Sequence, residues 1–342
     1  MWRIATAVVN FLRRSLFLLL AVFLLSKLFV QVAIAEVTQD KITEYYDSIV
    51  SINSKVPPDA RSARSLGTQR EGNGVIIDKN LILTIGYIVT EASEIEIGLA
   101  DGRSLPGILV GYDHTTGFGI IKPLLKTDLV RLKLGDSDKI QLDEPLFVMP
   151  SKRRGLGSVV KMVSRRPFSG WWEYYLDKPI YTLPANEDWG GTPLLNTDGE
   201  ILGVGSLFVP DAASEGSFSP GNMFVPINLL KPILDDLIQY GRRQSDIKPY
   251  LGITSEDFSG SVVVSRVREG GPAFNAGLQA KDVITAVNGV PVQTLKKFYK
   301  VIHESGSAGI TIKLSVTRQN QPLEFALKSI DRLDLLTKPK SF

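Results

Sequence analysis

The sequence contains no cysteine among its 342 residues. Disulfide bridges, thiolate nucleophiles and cysteine-ligated zinc are therefore excluded for this chain. Histidine is nearly absent as well, since only His114 and His303 occur. Two histidines leave little material for a metal site or a histidine general base. We therefore expect neither a metal nor a cofactor.

The chain also lacks an excess of charge of either sign. Its 39 Lys and Arg residues against 36 Asp and Glu residues give a formal net charge of +3. No basic tract interleaved with aromatic residues occurs, so the sequence argues against a nucleic-acid partner. Hydrophobic residues make up 44% of the chain, which is enough to bury the cores of about two domains.

An apolar stretch near the N-terminus is the first positive feature. Three arginines precede apolar runs that end at Ala35, and positive residues before such a run are typical of exported proteins. The sequence Ala33-Ile-Ala35 also matches a small-x-small cleavage site. Residues 1–35 are therefore predicted to be either a cleaved signal peptide or a retained membrane anchor. Both alternatives place the rest of the chain outside the cytoplasm, in a bacterial periplasm or at the periplasmic face of the inner membrane.

Short apolar runs separated by turn residues fill the region from about residue 71 to residue 226. Leu81–Thr84 and Ile201–Gly205 are two such runs, and Asp101-Gly102 and Asp198-Gly199 are typical turn pairs. This spacing predicts an all-β barrel or sandwich. A short amphipathic segment, Lys41–Val50, is expected to precede it.

A helix is predicted at the end of this region, over Pro226–Tyr240, where apolar residues recur at helical spacing. Asn228 is a candidate N-cap and Gly241 a C-terminal stop. Residues 242–248 are polar and predict a linker. A second module then begins, with a helix predicted over Leu295–Glu304 and closing strands near residues 310–314 and 323–327.

The order of these segments resembles the HtrA family, which includes the DegP, DegQ and DegS proteins. The resemblance implies a mainly β fold, with a chymotrypsin-like double β-barrel in residues 36–241, a PDZ domain in 249–330 and a C-terminal tail in 331–342. The motifs that carry it extend over most of the chain after residue 70, and they are Gly72–Asp78, Asp101–Arg103, Val110–Asp113, Gly135–Asp138, Gly191–Asn196, Asp198–Gly203, Phe224–Pro226, Tyr250–Ile253, Gly271–Leu278 and Lys281–Gly289.

The positions that match the family's catalytic triad carry other residues here. The histidine of the Thr-x-x-His-Val-Val pattern is replaced by Tyr87, and the aspartate of the Ser-Asp-Ile-Ala-Leu-Ile pattern by Gly117. Gly190 stands where the Gly-Asn-Ser-Gly-Gly pattern has its serine. Hydrolysis by this fold needs a serine oxygen, an imidazole base and an orienting carboxylate. No catalytic residue is therefore assigned, and the chain is predicted to be a pseudoprotease.

A working site built from other residues is the open alternative, an active HtrA-type serine endopeptidase in periplasmic quality control. His114 lies three residues before Gly117, but its position after Asp113 predicts an exposed turn histidine. No Ser-Lys dyad is recognisable from spacing.

The PDZ resemblance implies a peptide-binding groove. PDZ domains add a C-terminal peptide as a strand to a sheet edge and bind its carboxylate with backbone N–H groups. The implied carboxylate loop is Tyr250, Leu251, Gly252 and Ile253, with the pairing strand starting at Thr254. Tyr299 and His303 of the predicted helix are candidates for the opposite wall.

The densest aromatic cluster is Trp171–Tyr175. It is expected either to pack on the barrel or to form a second binding surface, because aromatic residues dominate interface energies.

We therefore predict an extracytoplasmic scaffold, regulator or chaperone that binds polypeptide C-termini or envelope proteins. The resemblance further implies two candidate assemblies, one with an active HtrA-type protease and one as a homotrimer.

Overall fold

The computed structural model describes residues 45–125 and 128–336. The predicted export segment, residues 1–35, lies outside these described residues. Across residues 45–125 and 128–336, no helix is both long enough and apolar enough to cross a bilayer.

The N-terminal part of the described chain, residues 49–123, forms a closed antiparallel barrel. The strands follow the order β1-β2-β3-β6-β5-β4, and β1 pairs with both β2 and β4 to close it. A one-turn helix, α1 (Ala63–Leu66), lies between β1 and β2. The bounds are β1 (Ile49–Lys55), β2 (Gln69–Asp78), β3 (Leu81–Ile85), β4 (Glu94–Gly98), β5 (Ser104–Tyr112) and β6 (Phe118–Pro123).

A second closed barrel follows, in the order β11-β14-β13-β12-β7-β8. Its core is apolar and includes Leu146, Ile180 and Phe224, each fully buried. Burial of such side chains is the main force that holds a closed β-barrel together. The bounds are β7 (Leu146–Val148), β8 (Ser158–Ser164), β11 (Ile180–Leu183), β12 (Pro193–Leu195), β13 (Ile201–Val209) and β14 (Gly221–Pro226).

A separate two-stranded hairpin projects from the second barrel between β8 and β11. It consists of β9 (Phe168–Gly170) and β10 (Tyr174–Leu176), so the predicted aromatic cluster forms its turn and second strand. Tyr175 of β10 belongs to the buried core of the C-terminal module. The hairpin therefore joins the two parts of the molecule.

The C-terminal module is one antiparallel sheet with a helix packed on it. The sheet order is β15-β16-β17-β19-β20, which leaves β15 as an edge strand, and β18 pairs with β17. In β19 the buried residues Ile312, Leu314 and Val316 alternate with more exposed ones, as expected for a half-buried strand. The bounds are β15 (Ile253–Phe258), β16 (Ser261–Val267), β17 (Val283–Val287), β18 (Val290–Pro291), β19 (Thr311–Arg318) and β20 (Gln321–Lys328).

Three α-helices complete the described elements after the barrels: α2 (Leu234–Tyr240), α3 (Pro272–Asn275) and α4 (Leu295–Glu304). The predicted helix 295–304 therefore has the bounds expected from its pattern. Thr294 caps it, since its hydroxyl accepts a hydrogen bond from Lys297 N at 3.2 Å. The buried residues of α4 lie three and four positions apart and include Leu295, Phe298 and Ile302.

The continuous helix predicted over residues 226–240 is wrong in its first half. A 3-10 turn spans Ile227–Leu229, and α2 starts only at Leu234. Pro232 lies between the two and has no backbone N–H to donate, which breaks the helix. Asn228 is not a cap, because its side-chain amide donates to the carboxylates of Asp136 and Asp138. Gly241 does end the helix, in a left-handed conformation with φ 73°.

The amphipathic segment predicted over Lys41–Val50 also differs from the structure. Residues 41–44 lie outside the described residues, Tyr46–Ser48 form a 3-10 turn, and Ile49 and Val50 begin β1. The prediction of a mainly β fold with a double barrel is confirmed.

Candidate functional site

The structure brings Tyr87, Gly117 and Gly190, the positions expected to match the triad, together between the barrels, in a region we call the barrel cleft. Tyr87 lies on a 3-10 turn that follows β3, and its hydroxyl donates to the Ser206 carbonyl of the second barrel at 3.1 Å. A Cβ atom placed on Gly190 would lie 2.9 Å from that hydroxyl oxygen. The Tyr87 side chain therefore fills the space beside position 190.

Gly117 lies at the same end of the cleft. Its carbonyl accepts a hydrogen bond from Gly86 N at 2.6 Å, next to Tyr87. Its φ of +85° favours glycine, and a Cβ there would lie 3.4 Å from the Tyr174 hydroxyl. That hydroxyl already donates to the Thr116 carbonyl at 2.7 Å. Two tyrosine side chains therefore line the cleft.

Burial disfavours ionisation of both tyrosines. Desolvation raises the pKa of Tyr87 above its ordinary value, and desolvation followed by the nearby Tyr112 and Asp113 raises the pKa of Tyr174. Both phenols therefore stay protonated at neutral pH and act as hydrogen-bond donors.

The turn before Gly190 is held by hydrogen bonds of its own. The backbone N–H of Asp188 donates to the Asn186 side-chain oxygen at 2.9 Å, and the Asp188 carboxylate pairs with Arg154 at 3.2 Å. The Asp188 carboxylate is therefore held in an ion pair.

Asn73 fixes this turn against the first barrel, and no sequence signal marked it beyond its place in a motif. Its fully buried side chain donates to Thr192 Oγ1 at 2.8 Å and to the Asp188 carbonyl at 3.1 Å. Its oxygen accepts from Ser151 N at 2.9 Å. One amide therefore satisfies three partners and joins the two barrels.

The predicted carboxylate loop, Tyr250–Ile253, contacts a carboxylate of this same chain. Glu173, at the turn of the β9–β10 hairpin, accepts a hydrogen bond from Leu251 N at 2.9 Å, and its other oxygen accepts one from Ile253 N. Glu173 is buried, with 7% of its surface exposed, and its φ is +60°. The charged end of a side chain thus lies where the family resemblance places a peptide terminus.

The β15 edge and α4 hold the residues that precede Glu173. Ser255 N donates to the Trp171 carbonyl at 3.1 Å. The Tyr299 hydroxyl donates to the same carbonyl at 3.2 Å and accepts from Glu173 N at 3.3 Å. Thr254 lies on β15 between these contacts, and its carbonyl accepts from the Ser265 hydroxyl at 3.2 Å.

The two histidines lie close to this groove. His303 packs edge-on against the Tyr175 ring, with centroids 5.7 Å apart, and burial lowers its pKa to about 4. The expectation that His114 is exposed is wrong. It is half-buried, its Nδ1 lies 3.0 Å from the Tyr112 hydroxyl, and its Nε2 contacts Arg332. Burial, then the charge of Arg332, lowers the pKa of His114 well below its usual value.

Glu173 and Arg332 are the groove residues that sequence reasoning missed. The Arg332 guanidinium donates to the Trp172 carbonyl at 2.7 Å and lies over the Tyr250 ring, 5.1 Å from its centroid. The dense aromatic cluster marked the Trp171–Tyr175 segment, but nothing in the pattern indicated that its acidic residue meets the loop at Leu251.

Comparisons with known proteins agree with this architecture. Residues 72–204 match the model of the trypsin-like peptidase domain, and residues 249–328 match that of the PDZ domain.

Two curated relatives are named as serine proteases. The periplasmic pH-dependent serine endoprotease DegQ of Escherichia coli is 28% identical over 270 residues, covering 74% of this chain and 58% of DegQ. The serine protease Do-like HtrA of Bacillus subtilis is 26% identical over 292 residues, covering 75% of this chain and 63% of that protein. The chain therefore spans about three fifths of the length of these two relatives.

Solved structures share the fold. The HtrA-type protease AlgW with tripeptide matches with a TM-score of 0.52 at 20% identity, covering 88% of this chain and 98% of that one. The serine endoprotease from Yersinia pestis matches with a TM-score of 0.52 at 22% identity, covering 85% and 97%. The two matched domains, their order and the shared double barrel place this chain in the HtrA family of trypsin-like proteins with a PDZ domain.

Proposed function

We propose that this HtrA-family chain binds polypeptides outside the cytoplasm and does not cleave them. The single observation that carries the proposal is the occupancy of the triad-equivalent positions by Tyr87, Gly117 and Gly190. Gly190 offers no side-chain oxygen, so a serine acyl-enzyme cannot form at that position.

The geometry of the barrel cleft supports an inactive site. A general base must have an unprotonated acceptor poised toward the nucleophile. The Tyr87 hydroxyl is instead a protonated donor engaged with the Ser206 carbonyl. The Asp188 N–H, which lies in the turn leading to Gly190, donates to Asn186 and is not free to stabilise an oxyanion.

The PDZ groove supports binding. Its loop presents the N–H groups of Leu251 and Ile253 to a single carboxylate, that of Glu173, and backbone donors of this kind recognise peptide C-termini in PDZ domains. AlgW, a structural neighbour, was solved with a tripeptide and with a decapeptide. We infer that this chain binds the C-termini of envelope polypeptides in its PDZ groove.

The proposed periplasmic location follows from the names of the relatives and from the apolar N-terminal stretch. DegQ and DegP are named periplasmic, and the apolar N-terminal stretch is typical of exported proteins. We infer that the chain works in the periplasm. A partner role beside an active HtrA-type protease, alone or in a trimer, is consistent with this setting.

Fluorophosphonate labelling together with casein hydrolysis tests the proposal. We expect neither labelling nor hydrolysis above buffer, with E. coli DegQ as the active control. The Ser206→Ala variant is the matched control within this chain, because Ser206 is the buried serine whose carbonyl contacts Tyr87. Serine labelling with turnover in the purified protein, lost in Ser206→Ala or in another single serine variant, would establish an active endopeptidase instead.

A further inference from the structure

We propose that the segment Trp171–Glu173 is a built-in ligand of the PDZ groove, and that an external C-terminal peptide binds only in exchange for it. The inference rests on the proposed peptide-binding function of that groove. It assigns to the barrel hairpin the role of a competitor that holds the groove closed.

The carboxylate contact is the first argument. A peptide terminus offers two equivalent oxygens to the backbone donors of a PDZ loop. Glu173 offers the same group, with Oε2 accepting from Leu251 N and Oε1 accepting from Ile253 N. Charge-assisted hydrogen bonds of this kind are stronger than neutral ones. The side chain therefore satisfies the loop in the same way as a bound terminus.

The main chain of the segment also follows a bound peptide. Along β15 the contacts run from Ser255 back to Leu251 while the segment runs from Trp171 to Glu173. The segment therefore runs opposite to β15 and contacts its free edge through one main-chain hydrogen bond, from Ser255 N to the Trp171 carbonyl. A peptide that adds to this edge with its carboxylate at the loop would have to run in the same direction.

The helix side of the groove is engaged as well. The fully buried Tyr299 hydroxyl bridges the Trp171 carbonyl and Glu173 N. Two residues after Glu173, in β10, Tyr175 packs on His303 and is part of the core of the C-terminal module. Strand edge, loop and helix all contact the hairpin, so the hairpin occupies the groove that an outside peptide would need.

Arg332 of the C-terminal tail contacts both the segment and the loop. Arg332 donates to the Trp172 carbonyl and lies over the Tyr250 ring. Arg242 binds Asp331 and Asp334, which fixes the turn that presents Arg332. The segment is therefore held by a charged residue in addition to the groove itself.

The contact carries a cost that makes exchange feasible. Glu173 adopts a positive φ that is unfavourable for a residue with a side chain, and its carboxylate is removed from water. Desolvation raises the pKa of Glu173 to about 7, although the backbone donors of Leu251 and Ile253 oppose the shift. A terminal carboxylate on an unstrained peptide would make the same hydrogen bonds without the backbone strain.

Exchange would also reach the barrel cleft. The Trp172 ring stacks on Tyr174, with centroids 5.8 Å apart, and Tyr174 lines the cleft at Gly117. Release of the hairpin segment would free the side chains that pack against the cleft.

Hydrogen exchange of residues 249–258, measured by mass spectrometry on the full chain, tests the inference. Glu173→Ala removes the carboxylate, and Glu173→Gln keeps its shape but leaves one acceptor oxygen in place of two. We expect exchange in this segment to rise at least about tenfold in both variants. Tyr299→Phe, which removes only the bridging hydroxyl, should give a smaller rise, and it serves as a second variant if Glu173 variants fold poorly.

Glu215→Ala is the matched control. Glu215 forms an ion pair with Lys296 on the outer side of α4 and contacts neither the loop nor β15. Its removal should leave exchange of residues 249–258 unchanged. Equal exchange in Glu173→Ala, Glu173→Gln, Tyr299→Phe and Glu215→Ala would overturn the built-in ligand.

Peptide binding separates this inference from the proposed function. The probe is a pool of fluorescein-labelled decapeptides with apolar free C-termini, measured by anisotropy beside the same pool with C-terminal amides. We expect Glu173→Ala to bind the free-carboxylate pool about tenfold more tightly than the wild type. Equal affinities of wild type and variant would overturn the competitor role and leave peptide binding intact. Raised exchange with no binding by any variant would uphold the built-in ligand and refute the binding function.

Discussion

The barrel cleft and the PDZ groove are both filled by side chains of this same chain, but in chemically different ways. In the cleft, the Tyr87 hydroxyl stands 2.9 Å from where a side chain at position 190 would begin. In the groove, Glu173 makes hydrogen bonds with backbone donors of the loop. The cleft presents no side-chain oxygen at Gly190, whereas the groove loop presents backbone N–H donors.

This difference indicates which region can still respond to a partner. No rearrangement of side chains provides a nucleophile at Gly190, because glycine has no side-chain oxygen. Moving the hairpin away from β15 would restore the groove, because its N–H groups belong to the backbone. Function retained by this chain is therefore expected at the groove, with the cleft as rigid support.

The largest effect is expected from Asn73→Ala, which breaks the support. The variant removes three hydrogen bonds and leaves the buried Ser151 N–H without its partner, while the Thr192 hydroxyl keeps its hydrogen bond to the Asp188 carbonyl. Unsatisfied buried groups cost about 1–3 kcal/mol each, so we expect the free energy of unfolding to fall by about 3 kcal/mol. Urea denaturation followed by circular dichroism measures it.

Asn53→Ala is the control, since Asn53 is exposed on β1 and should change stability by less than about 0.5 kcal/mol. Similar losses in the two variants would mean that the turn at residues 188–192 is not held by Asn73.

Arg332→Ala should act mainly on the groove, and it also removes the contact with His114 of the first barrel. It removes the hydrogen bond to the Trp172 carbonyl and the contact with the Tyr250 ring. Hydrogen bonds from charged donors contribute about 1.5–3 kcal/mol, so opening of the groove should become about 30-fold more frequent. Exchange of residues 249–258 measures opening, and Arg332→Lys should recover only part because an ammonium lacks the planar fork. Unchanged exchange in Arg332→Ala would show that the tail does not hold the segment.

A change of one pH unit is expected to affect opening of the groove less than Arg332→Ala does. We call the groove closed when it holds the segment Trp171–Glu173 and open when that segment is released. As pH falls below about 6.5, the open state binds protons at His114 and His303. In the closed state, burial keeps the pKa of both histidines low. Between about pH 4.5 and 7 the closed state binds an additional proton at Glu173, because burial raises its pKa. From pH 6.5 to 4.5, opening therefore takes up two protons and releases one. Opening should increase about tenfold for each unit of acidification.

Other charged groups also face these three residues, and they are Arg332, Arg268, Arg243, Lys248 and Asp246. Exchange of residues 249–258, corrected for the intrinsic rate at each pH, measures the response. His303→Gln removes one proton uptake and should make the response nearly flat. A flat response in the wild type would mean that opening takes up no net proton, contrary to the expectation.

Local patterns predicted those parts of the fold that depend on neighbours in sequence. The helix Leu295–Glu304 follows from its apolar spacing and the Thr294 cap, and alternation indicated strands such as β19. The helix over residues 226–240 was predicted too long because its apolar spacing outweighed Pro232, whose missing N–H stops the helix.

The candidate site was predictable only where motifs marked it. Motif order located Tyr87, Gly190 and the loop at Leu251, which the structure places at two distinct regions. The role of Glu173 was not predictable from local patterns. It depends on contacts with Leu251 and Ile253, which follow Glu173 by 78 and 80 residues in the chain. The burial of His114 was missed for the same reason, since Arg332, its partner, lies 218 residues away.

Because the hairpin is part of the polypeptide, its carboxylate stays near the loop at a local concentration that dilution cannot lower. Short tethers give effective concentrations in the millimolar range. An outside chain end must exceed that tethered competitor in affinity or abundance before it is admitted. A connection of this kind sets a threshold, so that scarce or weakly matching termini are ignored and only plentiful or well-fitting ones are retained.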